Sequence, residues 1–279
     1  MSPANRARCA ARYDSRMASI LLHSHALALL LAGLGLCATP PTTPDVTTLL
    51  SAPATSRFVY PFAHGGHPPA CPPVEVDTTS FAQGAEWGAL ARGLVESWYP
   101  RIAELLATDG LDPLDGKPHG KPFATPRAIK IVIAKTLDAP AYTTGNEIHV
   151  NGSWIVAHPD DSGLLIHELA HVLQAYPGGP KFPGWLSEGI ADYVRWWRYE
   201  PELAAGAGRT RIDPAKSKYT DSYRVTAMWL AWCSRAHDMR LVPALDLALR
   251  NGEDPLPLFE KICGKDAEAL WKEFVAEQG

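Results

Sequence analysis

The chain has 279 residues, of which 46% are hydrophobic, enough for one compact domain of about 200 to 240 residues, and no mid-chain composition break suggests two. The formal net charge is −4; without residues 1–37 the chain keeps 22 basic against 29 acidic side chains, a net of −7. That balance argues against nucleic acid or an anionic membrane surface as the main partner.

Arg6, Arg8, Arg12 and Arg16 precede a thirteen-residue apolar run, 26–38, which has the build of an export signal and is short for a membrane span. Residues 1–38 are expected to be a signal peptide or membrane anchor, and the protein to be exported: periplasmic, secreted or cell-envelope anchored. Met17 is an alternative start. Leu34-Gly35-Leu36-Cys37 is close to a bacterial lipoprotein box, although Leu36 is bulky where a small residue is required. The mature domain is expected to be a monomer without stable membrane insertion, held at most by an N-terminal anchor or lipid.

Residues 39–80 are rich in Pro, Thr and Ser without a sustained period, and read as a linker or extended arm laid on the domain. His64, His67 and Cys71 stand there among prolines and glycines, which give no helix to gather them into a metal site. The domain is expected over 81–279. It opens with an amphipathic helix over 85–108, whose Trp87, Leu90, Leu94, Trp98, Ile102 and Leu105 recur every three or four residues. A loop over 109–126 leads to a β-branched run at 128–134, read as a buried strand. The turn Thr144-Gly145-Asn146 introduces a second strand at 147–150. An extended peptide can add itself to an exposed sheet edge through its own main-chain hydrogen bonds. This strand is the candidate for that edge, with Glu147 and His149 as candidate substrate-binding residues.

The next segment organises the chain. Leu164, Leu165, Ala170, Val172 and Leu173 give apolar faces to a helix that Asp161 or Ser162 can cap and that Pro177-Gly178-Gly179-Pro180 ends. On it stands His167-Glu168-Leu169-Ala170-His171. Histidines four apart share one helix face and can grip one small ion, and Glu168 beside the first can take a proton from a water on that ion. A catalytic zinc takes three protein ligands. A third histidine six residues on is excluded, because that position is Pro177 and Gln174 replaces the glycine such a motif needs. A second helical pattern over 183–194 instead offers Glu188 as the candidate ligand. Asp192, one turn on, could accept a hydrogen bond from a ligating imidazole and fix its tautomer.

Further helices are expected over 223–235, 241–249 with an interruption at Pro243, 256–263 and 267–276, the last capped by Asp266. Tyr223 is a candidate for stabilising a developing oxyanion. Of five cysteines, Cys9 and Cys37 fall in the N-terminal segment. Cys233 and Cys263 could pair, which would stabilise by roughly 3 kcal/mol.

H-E-x-x-H followed by E-x-x-x-D is similar to the gluzincin metallopeptidases, in which the two histidines and the later glutamate bind zinc. More narrowly, residues 141–150, the pincer helix, 185–195 and Tyr223-Arg224-Val225-Thr226-Ala227 together resemble the basic secretory protein family of plant and bacterial peptidases, over about residues 75–279. This chain is not basic, so the family name says nothing about its charge. The resemblance implies that His167 and His171 bind zinc and that Glu168 is the catalytic base. The wider gluzincin pattern supplies Glu188 as third ligand, with Asp192 and His149 open as alternatives. The element order reads as α+β, and the resemblance makes it a zincin-like metallopeptidase domain with a small mixed sheet, a pincer helix and a helical C-terminal part.

The resulting expectation is an exported peptidase with one Zn2+ per chain acting on protein or peptide substrates. A metal-activated water would attack the peptide bond with Glu168 as general base and Asp192 as an orienting partner. The rival readings are a noncatalytic exported module on the same fold and a zinc hydrolase of a nonpeptide substrate.

Overall fold

The structure is a computed structural model that describes residues 69–106, 108–179, 182–202, 210–221 and 223–278. The export signal, Met17, Cys9, Cys37, His64, His67 and the arm up to residue 68 lie outside the described residues. Among those described, four strands form one mixed sheet: β1 (Val74–Asp77), β2 (Ile129–Ala134), β3 (Ala141–Thr144) and β4 (Glu147–Asn151). Their order is β1-β2-β4-β3, with β1 and β4 parallel to β2 and β3 antiparallel to β4. The β-branched run thus forms a strand as expected, but only one of its faces is deeply buried. Ile129, Ile131 and Ile133 are buried, while Lys130, Val132 and Ala134 between them are half-buried.

Two expectations about the sheet change. β1 falls within the segment read as linker or arm, yet Val74 to Asp77 pair in register with Ile129 to Val132. Four residues after Pro72-Pro73 carry too little period to announce a strand; pairing with β2 supplies what the local pattern lacks. The strand expected at the edge, β4, is interior, held between β2 and β3. The edge beside it is β3, and among the described residues no strand pairs with its outer side.

Ile129, Ile131, Ile133, Ile148 and Val150 turn to one face of the sheet and are fully buried. Two helices cover that face. α1 (Ala85–Leu105) packs on β1 and β2, and the pincer helix packs on β3 and β4. The most buried stripe of α1 runs through Gly88, Ala91, Val95, Tyr99 and Ile102, while Trp87, Leu94 and Trp98 are only partly buried beside it. The stripe is therefore rotated from the expected one toward small residues. A Cβ on Gly88 would stand 2.7 Å from Val76 Cγ1, so this glycine lets the helix come close to the sheet.

After β4 come α2 (Gly152–Ala157), the pincer helix α3 (Gly163–Gln174) and α4 (Gly184–Val194), which ends in a π-turn, Arg195–Tyr199. The C-terminal part is α5 (Tyr223–Ala236), α6 (Leu241–Asn251), α7 (Pro257–Cys263) and α8 (Ala267–Gln278). α6 is continuous through Pro243, because a proline in the first turn removes an N–H that has no intrahelical partner there. Asp266 caps α8 as expected, its Oδ1 accepting from Ala269 N at 2.7 Å. Cys233 and Cys263 do not form the disulfide considered from sequence; both are free thiols. Burial raises both, Cys263 to about 11, so they stay in the unreactive protonated form.

α4 crosses α5 at Gly189, where an added Cβ would fall 2.2 Å from Thr226 Cγ2. Thr226 is fully buried and donates its hydroxyl to the Tyr219 carbonyl at 2.5 Å, so it has little room to withdraw. Gly189→Ala is expected to destabilise by about 1–3 kcal/mol through overpacking, outweighing the gain of up to about 1 kcal/mol in helix propensity. A Tm equal to or above that of the wild type would contradict this packing account.

Candidate metal centre

α3 and α4 run antiparallel, and residues along one meet residues along the other in register. At one end, Arg195 of the π-turn pairs with Asp161 and Glu200, and the hydroxyls of Tyr199 and Ser162 lie 2.7 Å apart. In the middle, His167 faces Asp192 and His171 faces Glu188. At the other end the Gln174 amide donates to the Ser187 carbonyl at 3.0 Å. Neither expected cap of α3 acts as one. Ser162 stands at the N-cap position without a side-chain capping bond, and Asp161 accepts instead from Trp154 Nε1 and Arg195. The Glu200 carboxylate packs against Gly163 at the helix N-terminus, where the helix dipole favours negative charge.

This pairing brings three donor atoms together. His167 Nε2 and His171 Nε2 are 3.1 Å apart, and Glu188 Oε2 lies 3.3 Å from the first and 3.4 Å from the second. Ligands about 2.0–2.1 Å from a tetrahedral zinc stand about 3.3 Å from one another. Two imidazoles and one carboxylate are also a donor set that suits zinc and leaves a fourth position open. Among the described residues these three are the one cluster of His, Cys, Asp or Glu that could hold a metal ion. The residues therefore fit the group.

Both imidazoles are oriented from behind. His167 Nδ1 lies 2.8 Å from Asp192 Oδ1, and His171 Nδ1 lies 2.7 Å from Gln174 Oε1. An acceptor on Nδ1 fixes the proton there and leaves the Nε2 lone pair for an ion. Burial lowers both histidines, but their acidic neighbours override it. Asp192 and Glu188 hold His167 well above its ordinary value, and Glu188 raises His171. Burial would raise Glu188, yet the two imidazoles bring it far below the usual carboxylate range.

The base candidate is held from the sheet. Thr143 on the edge strand β3 donates its hydroxyl to Glu168 Oε2 at 2.8 Å and lies 3.0 Å from the Glu168 carbonyl. Glu168 is buried, with 8% of its surface exposed. The Tyr223 ring, at the start of α5, has its centroid 6.4 Å from that of His167.

Residues 107–274, more than half of the chain, match the family model BSP, described as a peptidase of plants and bacteria. The chain belongs to the BSP family. Neither a curated protein nor a solved structure matches it. In this BSP-family chain the structure brings His167, His171, Glu188, Asp192, Glu168 and Tyr223 to one place. It does not bring Glu147 and His149 there. Thr143 pairs with Ile148 across the hairpin and shares its helix-covered face, whereas Tyr142 pairs with His149 on the other. His149 stacks on Tyr142 with centroids 4.6 Å apart, and its Nε2 lies 3.3 Å from Glu147 Oε2. Thr143 and Gln174 are the site residues that sequence reasoning missed. The one available signal was Gln174 on the histidine face of the helix, three residues past His171.

Proposed function

We propose that this BSP-family member is an exported, zincin-like, zinc-dependent endopeptidase. The observation that carries the reading is the triangle of His167 Nε2, His171 Nε2 and Glu188 Oε2, with edges of 3.1 to 3.4 Å, beside the carboxylate of Glu168. Those three residues would hold zinc, which when bound makes a water acidic and polarises the scissile carbonyl. The remaining work falls to the chain itself. Thr143 holds Oε2 of Glu168, which leaves Oε1 to take the proton of the attacking water and return it to the leaving amine. Tyr223, whose ring centroid lies 6.4 Å from that of His167, would donate its phenol to the developing oxyanion. An extended peptide would lie along the outer edge of β3, with which no strand pairs among the described residues and which lies on the pincer-helix side of the sheet.

Export rests on the N-terminal sequence. Among the described residues no helix is long and apolar enough to cross a membrane.

The deciding experiment measures metal content of the purified full-length protein together with cleavage of an unfolded protein substrate, with and without a chelator. One zinc per chain and chelator-sensitive cleavage are expected. Bound zinc without cleavage of any peptide would move the reading to a nonpeptide hydrolase, and no zinc after metal loading would overturn it. Thr143→Val, close in shape without the hydroxyl, is expected to leave zinc content unchanged and lower kcat about tenfold, the equivalent of about 1.4 kcal/mol. An unchanged kcat would show that Glu168 does not need the hydroxyl.

A further inference from the structure

In the sequence, Gln174 figures only as the residue standing where a longer histidine motif requires glycine. In the structure its side chain joins one metal-ligand candidate, His171, to Ser187, the residue before another, Glu188. We infer that Gln174 is a positioning residue of the metal centre: it fixes His171 in the tautomer that presents Nε2 and sets the end of α3 against the start of α4, where Glu188 stands. This inference rests on the zinc reading proposed above.

The argument runs through hydrogen-bond direction. Gln174 is 1% exposed, so each of its polar atoms needs a partner within the protein. Its Nε2 lies 3.0 Å from the Ser187 carbonyl oxygen, which can only accept. The amide must therefore turn its NH2 group that way, since the flipped amide would set two carbonyl oxygens against each other. Oε1 is then forced toward the other two neighbours, the Ser187 hydroxyl at 3.1 Å and His171 Nδ1 at 2.7 Å. Both must donate to it. The proton of neutral His171 accordingly sits on Nδ1, and the Nε2 lone pair points at His167 Nε2 and Glu188 Oε2. One backbone carbonyl at the start of α4 thus determines, through one amide, which nitrogen of His171 is free to bind an ion. Asp192 does the same for His167 from the far end of α4.

The side chain performs two separable tasks, accepting from His171 and donating to Ser187, and substitutions can divide them. Gln174→Met keeps the length and loses both bonds. Gln174→Glu keeps an acceptor for Nδ1 and loses the donor to Ser187. A residue that only ties two helices together would show the same defect in both variants, confined to stability. A residue that fixes the tautomer would separate them.

The test uses the full-length chain and three readouts: zinc affinity by competition with a chromogenic chelator, the imidazole 15N signals of the metal-free protein in alkaline buffer, and Tm. For Gln174→Met, zinc affinity is expected to fall by about 10–100-fold, the usual cost of losing an outer partner of a ligand. The His171 signals are expected to shift from the Nδ1–H tautomer to a mixture. For Gln174→Glu, Tm should fall, while zinc affinity and the tautomer stay near those of the wild type. If Gln174→Met does not fold, Gln174→Asn repeats its test, since the shortened amide no longer reaches Nδ1. Unchanged affinity and tautomer in the methionine or asparagine variant would overturn the inference. So would equal losses of zinc affinity in the glutamate and methionine variants. A wild-type protein that binds no zinc, yet shows the Nδ1–H tautomer lost on substitution by methionine, would separate failure of the zinc reading from failure of this one.

Discussion

Glu168→Gln is expected to leave one zinc per chain in place and to lower kcat by about 10²–10⁴-fold or more, the range general-base catalysis commonly contributes. The two halves of that result have different causes. Glu168 is not among the three donors that converge within hydrogen-bond distance of one another, so its charge can be removed without removing a ligand. Glutamine has the same length, and its carbonyl oxygen can still accept from Thr143, so the side chain keeps its place between β3 and α3. What it cannot do is take a proton. Metal analysis beside steady-state kinetics on an unfolded protein substrate decides the matter. A variant retaining more than a tenth of wild-type kcat with normal zinc would remove Glu168 as the base, and one that loses zinc would show that the carboxylate helps to bind the ion.

The parts of this site that were legible in the sequence are those whose geometry is local. His167 and His171 are four residues apart on a segment whose apolar pattern and proline–glycine stop define a helix, and helical pitch alone puts them on one face. Asp192 follows Glu188 by the same spacing, which makes its place behind His167 readable once Glu188 is accepted. Glu188 itself lies beyond a turn, and pitch does not determine how α4 docks on α3. Its candidacy drew on the gluzincin pattern, and the distances to both imidazoles come from the fold.

What stayed hidden depends on tertiary contact. Thr143 reaches Glu168 from a strand twenty-five residues earlier, and a lone threonine in a short extended segment carries no sign of that. The edge of the sheet was misplaced for a similar reason. The order β1-β2-β4-β3 puts the later strand of the hairpin inside and the earlier one outside, and hairpin chemistry specifies pairing without saying which partner faces solvent. The helix caps failed in an instructive way. Asp161 and Ser162 are good capping residues, yet both are drawn into the clamp with Arg195 and Tyr199, because long-range partners outcompete a local bond worth about 1 kcal/mol. In each case a residue with a standard local use is given to the junction of α3 and α4, on which the ligand triangle depends.

Glu188→Ala is the substitution expected to act most strongly on the metal. It removes one of the three proposed ligands, so its effect on zinc affinity should exceed the roughly 10–100-fold that loss of an outer partner costs, and activity should fall with occupancy. The alternatives weighed from sequence give no rescue. Asp192 accepts at His167 Nδ1, on the opposite side of the ring from Nε2, and moving it inward would break the bond that orients His167. His149 lies on the face of the sheet away from Thr143, stacked on Tyr142. Because the two imidazoles hold Glu188 far below the usual carboxylate range, the metal-free variant also loses a favourable buried interaction, and its Tm should fall with zinc absent. Glu188→Asp, one methylene short, should recover part of the affinity; recovery by aspartate but not by alanine would mark the carboxylate as a ligand rather than a packing element. Wild-type zinc affinity in Glu188→Ala would instead mean that the triangle of His167, His171 and Glu188 is not the metal site.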